Sequence, residues 1–256
     1  PFKMSNMGLA FNQFLYTYYP AFFDKNKGIA VGSQNTISKT SNGGQTWTTT
    51  SSSGSSFSYY DVFFVNSQIG WICGSGGAIR KSIDGGATFT SQSSGVTKFL
   101  WSIYFLTPLK GFACGESGTL LRTLDGGTTW VKLATPSTAT YFGIAFRDSL
   151  HGYVTLDGGY MLITSNGGNN WKLGDINFTG KSIAFRNSFT GYIVGGLDSR
   201  LYFDPMKSHN AYTTACKGGT GALKPVLASG INILPGNHFI YEIDTTGSDF
   251  QDAIFV

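Results

Sequence analysis

A phenylalanine standing six residues ahead of a glycine recurs five times along this 256-residue chain. The pairs are Phe22 and Gly28, Phe64 and Gly70, Phe105 and Gly111, Phe146 and Gly152, and Phe185 and Gly191, with the glycines 42, 41, 41 and 39 residues apart. Each glycine is followed by an aromatic or β-branched residue: Ile29, Trp71, Phe112, Tyr153 and Tyr192. A second glycine follows four residues on at Gly32, Gly74, Gly115 and Gly195, and Leu156 breaks that step in the fourth repeat. A fixed period near 40 residues means one supersecondary unit stacked on copies of itself.

Four repeats carry a second motif ahead of their last strand. It runs from Thr40 to Trp47 around Asn42, from Ser82 to Phe89 around Asp84, from Thr123 to Trp130 around Asp125, and from Thr164 to Trp171 around Asn166. This is hairpin chemistry. The Asp or Asn side chain accepts hydrogen bonds from backbone N–H groups just ahead, and the paired glycines supply positive φ. The closing aromatic then anchors the hairpin on its sheet. The third repeat predicts strands over 100–105, 111–115, 119–123 and 129–133, with the motif joining the third to the fourth. Four short strands every 41 residues predict an all-β chain, a β-propeller of four-stranded antiparallel blades. Only two Glu in the whole chain, against 35 Gly, 21 Phe and 13 Tyr, agrees with strands over helices.

The motif resembles the aspartate-box, or BNR, repeat. Its combination with the Phe and Gly-aromatic steps is similar to the repeat of the photosystem II assembly and stability factor propellers and their secreted bacterial relatives. The resemblance covers about residues 20–205. One propeller over 1–256 is expected, and a period near 41 in 256 residues gives six blades, with seven as the alternative. The fifth repeat loses its box to 202–206. Residues 206–256 then form a degenerate closing blade, to which 1–19 lend a strand.

Several function classes fall away on residue chemistry. Net charge is +4 without a basic run, which leaves nucleic acid unsupported as a partner. No apolar stretch reaches the length of a membrane span. Cys73, Cys114 and Cys216 match no zinc spacing and no disulfide framework, and no metal or cofactor is expected. Cys73 and Cys114 are expected as buried free thiols in second strands of adjacent blades. Sialidases, which also carry aspartate boxes, need an arginine triad, a Tyr–Glu pair and an acid. Here Arg80 and Arg122 are read at corresponding third-strand positions ahead of the box, and Arg147 and Arg186 at corresponding first-turn positions, so repetition accounts for four of the five arginines. Xyloglucanase-type enzymes use two propellers, and this chain supplies one. The chain is read as no enzyme. Asn177 opens a glycosylation sequon, and a surface rich in Ser, Thr and Gly but poor in charge points outside the cytosol.

What remains is a binding or scaffolding module with a protein partner, or alternatively a carbohydrate-binding or glycoside-hydrolase-like secreted propeller. Four residues before each repeat Phe stand Tyr18, Tyr60, Trp101, Phe142 and Lys181. An innermost strand that begins at the channel places this series around the channel mouth. The neighbouring loops between second and third strands bring Glu116, Asp157 and Asp198. Aromatic faces beside carboxylates suit an oriented ligand. The box residues, by contrast, are expected to be structural: Asn42, Asp84, Asp125 and Asn166 with Trp47, Phe89, Trp130 and Trp171.

Overall fold

Each Phe-to-Gly step builds a hairpin whose glycine lies under the phenylalanine ring. In the computed structural model, a Cβ placed on Gly28, Gly70, Gly111, Gly152 or Gly191 would strike the ring of the repeat Phe of its own blade. The structure describes residues 17–50, 57–176, 179–185, 191–195, 200–203 and 213–214. Within them lie five four-stranded antiparallel sheets, each with its strands in sequence order. The inner strands are Thr17–Phe22, Tyr59–Phe64, Leu100–Phe105, Tyr141–Phe146 and Gly180–Phe185, and each of the first four packs against the inner strand of the next blade. The second strands, beginning at Gly28, Gly70, Gly111 and Gly152, are buried end to end in blades one to four. Residues 1–16 and 215–256, and with them most of the expected closing blade, lie outside the described residues, as does Asn177.

In the third blade the expected strands are found at Leu100–Phe105, Gly111–Gly115 and Thr119–Thr123. The fourth is shorter than expected, Val131–Lys132, because the Thr129 N–H is given to the Asp125 carboxylate at 2.9 Å instead of to the ladder.

The boxes close on themselves with nearly identical geometry. The Thr or Ser that opens the box donates its hydroxyl to the Asp or Asn side chain, at 3.0 Å (Thr40 to Asn42), 2.7 Å (Ser82 to Asp84), 2.8 Å (Thr123 to Asp125) and 3.0 Å (Thr164 to Asn166). The same hydroxyl oxygen accepts the N–H of the second glycine, and the Asp or Asn oxygen accepts the N–H four residues on. The first glycine N–H docks on the turn between the first and second strands: Gly43 on Asn26 O, Gly85 on Gln68 O, Gly126 on Leu109 O and Gly167 on Leu150 O. Box and inner turn therefore share one face of the blade. The box aromatic meets the repeat Phe edge-on, at 78° for Trp47 on Phe22, 84° for Phe89 on Phe64, 89° for Trp130 on Phe105 and 80° for Trp171 on Phe146.

Blade-to-blade contact uses the residue after the repeat glycine. Trp71 stacks on Phe105 of the next blade with ring centroids 3.4 Å apart and donates its indole N–H to Gly126 O in that blade's box. Phe112 stacks on Phe146, and a Cβ on Gly168 of the next box would strike its ring. The residue just before the box reaches the next blade too in blades one and three: Lys39 Nζ donates to Ala87 O at 3.1 Å, and Arg122 Nη1 to Asn169 Oδ1 at 2.8 Å. This corrects the expected equivalence of Arg80 with Arg122. Trp71 pairs with Lys81 and Phe112 with Arg122, so Arg122 corresponds to Lys81. Arg80 is one residue out of register, which puts it on the other face of the sheet, over the Tyr59 ring. Cys73 and Cys114 are buried and free, as expected.

Candidate functional site

Strand alternation alone places Trp101 on the same face as buried Ile103. The structure separates them with a β-bulge. In every described blade the inner strand has one residue more than its partner: Thr17 and Tyr19 pair with consecutive residues, and so do Tyr59 and Asp61, Leu100 and Ser102, Tyr141 and Gly143, and Gly180 and Ser182. The extra residues are Tyr18, Tyr60, Trp101, Phe142 and Lys181. A bulge re-aims a side chain, and these are the members of the mouth series. Before the bulge, Tyr59, Leu100 and Tyr141 are buried; after it, Val62, Ile103 and Ile144 are buried. The bulged residue is turned out of that core.

The turned-out side chains meet one another. Tyr60 and Trp101 are 4.4 Å apart between ring centroids, Trp101 and Phe142 6.5 Å, and Lys181 Nζ sits 3.4 Å above the Phe142 ring. Phe99, which has no place in the repeat pattern, joins them from the connection between blades two and three. It lies 5.8 Å from Tyr60 and 6.1 Å from Trp101 and is 38% exposed. Tyr60, Trp101 and Phe142 are partly buried and Lys181 is exposed. The Trp101 Nε1–H is shielded from solvent and has no acceptor among the described residues.

Trp101, Phe142 and Lys181 rim a cavity of about 300 Å³ whose wall continues down the inner strands through Asp61, Ser102, Gly143 and Ser182. Asp61 ties two blades together: Ser102 Oγ and Ile103 N donate to its Oδ2 at 2.8 and 2.9 Å, and Val62 N to its Oδ1 at 2.8 Å. Burial outweighs those donors and pushes its carboxyl up to about 6. At Lys181, burial lowers the ammonium's affinity for its proton, against the opposing pull of Asp157.

Of the loop carboxylates, Glu116 and Asp157 reach the mouth and also hold its connections. Glu116 Oε2 accepts the Phe99 N–H at 3.3 Å while its own N–H donates to Phe99 O. Asp157 Oδ1 accepts from Gly158 N and from Thr179 Oγ1, each at 3.1 Å. Asp198 lies outside the described residues. On the opposite face, Arg147 is drawn back onto Asp148, Nε to Oδ2 3.3 Å, with its side chain 11% exposed. It does not stand out into solvent there.

The boxes are electrostatically settled. The Thr88 hydroxyl and N–H, with Ser82, hold the Asp84 carboxyl down to about 2, and Thr129 and Thr123 do the same for Asp125. Asn42 and Asn166 make equivalent bonds with no charge, so closing the hairpin does not need one.

The family model of the photosynthesis system II assembly factor YCF48 matches residues 48–124. No curated protein sequence matches the chain. Among solved structures, YCF48 bound to D1 peptide is similar over 78% of this chain and 68% of that one, at 19% identity and a TM-score of 0.63. The GH74 enzyme of Niastella koreensis is similar over 70% of this chain and 35% of its own, at 18% identity and a TM-score of 0.57. An ancestral GH74 enzyme, at 16% identity and a TM-score of 0.60, is covered over 31% of its length by 77% of this chain. Five four-stranded sheets and four closed boxes among the described residues, with these likenesses, show a β-propeller whose BNR-type repeat resembles that of the photosystem II assembly factor.

Proposed function

We propose that this propeller is a non-catalytic protein-binding module of the assembly-factor kind, acting outside the cytosol, and that it holds its partner at the channel mouth. The observation that carries this reading is the bulge repeated in each inner strand, which turns Tyr60, Trp101 and Phe142 out of the core and into one row. Aromatic rings partly open to solvent offer flat apolar contact at low entropic cost, and interfaces are anchored by such residues. The family model that matches, and the D1 peptide bound to the structurally similar YCF48, support a protein as the occupant. The carboxyl of the cavity wall, Asp61, is committed to holding two blades together, which supports binding over catalysis. The sparse surface charge supports a site of action outside the cytosol. Trp101→Ala tests the site. Retention of a native protein partner by the wild type and its loss from a folded variant is the expected result; equal retention by both contradicts it.

The same row favours one second reading, since rings partly open to solvent also take the apolar face of a sugar. Binding to a glycan array, abolished by Trp101→Ala, with no protein partner retained, would establish that reading instead.

A further inference from the structure

The mouth is chemically lopsided. At one end three rings, Tyr60, Phe99 and Trp101, gather beside the Glu116 carboxylate, which is fastened to the Phe99 backbone. A carboxylate next to exposed ring faces is an environment for a cation. At the other end the Lys181 ammonium rests on Phe142. No carboxylate lies within ion-pair distance of it among the described residues; Asp157 is near, with Oδ1 engaged by Gly158 and Thr179. Between the two ends, the shielded Trp101 Nε1–H waits for an acceptor. The row crosses four adjacent blades in three short steps.

We propose that the mouth reads a dipolar extended peptide of about five residues, with a Lys or Arg side chain over Tyr60, Phe99 and Trp101 beside Glu116, apolar residues along the row, and a carboxylate at Lys181. The inference rests on the protein-binding reading above and adds to it a charge pattern. A segment with cations at both ends sets one of them against Lys181, and a segment with carboxylates at both ends sets one against Glu116. Like-charge contacts of this kind are what separates a matched from a mismatched partner.

Four pools of capped pentapeptides, with randomised apolar centres and Lys–Glu, Glu–Lys, Lys–Lys or Glu–Glu ends, test this on the immobilised protein. Both mixed pools, which lay the same charges at the same ends by running in opposite chain directions, are expected to be retained about tenfold over the two like-charged pools. Glu116→Gln, which keeps an acceptor for the Phe99 N–H, is expected to abolish the preference at the basic end alone. Lys181→Glu, at an exposed position, is expected to abolish it at the acidic end alone. Equal retention of all four pools, or a preference that neither variant changes, overturns the proposal. If the equal retention disappears in Trp101→Ala, the charge pattern is wrong and the binding site stands. If no pool is retained while a glycan is, both the charge pattern and the protein-binding reading fall.

Discussion

The two faces of this propeller are made by the same repeat and behave oppositely. On the box face each of the first four blades solves the same problem in the same way: a hydroxyl, an Asp or Asn oxygen and two glycines satisfy one another, and the first glycine locks onto the inner turn. At the mouth the backbone device is equally regular, one bulge per blade, yet the residue it presents changes from Tyr to Trp to Phe to Lys. Where the repeat constrains side-chain chemistry, the chemistry is consumed internally. Where it constrains only the backbone, the bulged side chains of blades two to four stay partly open to solvent, and it is there that we propose recognition.

That contrast can be broken from either side. The largest stability loss belongs to the box-side core. Phe105 is 2% exposed, covers Gly111, stacks on Trp71 and receives Trp130 edge-on, so Phe105→Ala costs roughly 3–5 kcal/mol in urea unfolding. Trp101→Ala, removing a larger side chain from the mouth, costs clearly less stability and most of the binding. A Trp101 variant as unstable as the Phe105 variant would erase the distinction between the faces.

Smaller effects separate geometry from charge in the boxes. Asp125→Asn keeps the acceptor that Asn42 and Asn166 supply in their own blades, so its melting temperature stays close to wild type, whereas Asp125→Ala melts measurably lower. Equal losses in the two variants would mean that the charge matters after all.

The smallest effect is a pH profile of opposite sign on the two sides. Asp84 and Asp125, with carboxyls near 2, add stability above the ordinary carboxylate range that is lost as pH falls through about 2. Asp61, raised to about 6, does the reverse: the folded protein holds a proton that the unfolded chain has released, so stability declines as pH rises from about 4 to 6. Asp61→Asn flattens the profile over that window in denaturation experiments. An unchanged slope contradicts the assignment.

Much of this fold is readable in the sequence because its determinants are residue types at fixed offsets. The Phe-to-Gly step, the box and three of the four strands in blade three follow from steric and hydrogen-bonding rules that act within a few residues. The bulge is subtler, and its trace is an odd spacing: the buried large apolar residues on either side of it fall at 59 and 62, at 100 and 103, and at 141 and 144, a step of three where a regular strand requires two. Alternation applied without that step pairs Trp101 with Ile103 and hides the site. Phe99 cannot be found by repetition, since Ser58 and Thr140 stand at its equivalents. Equating Arg80 with Arg122 misaligns the third strands by one residue, an error that in a strand exchanges faces. The tail past 206 lacks both a box and a Phe-to-Gly step, so no local rule assigns its strands.

The central claim, that partner recognition belongs to the mouth and not to the box face, is tested most directly by site-specific photo-crosslinking in an extract of the native source. A benzophenone amino acid is placed at Phe99, 38% exposed at the mouth, and separately at Leu124, 61% exposed at a box tip. A discrete protein adduct that Trp101→Ala removes is expected from position 99, and none from position 124. An adduct from position 124 with none from position 99 would contradict that claim.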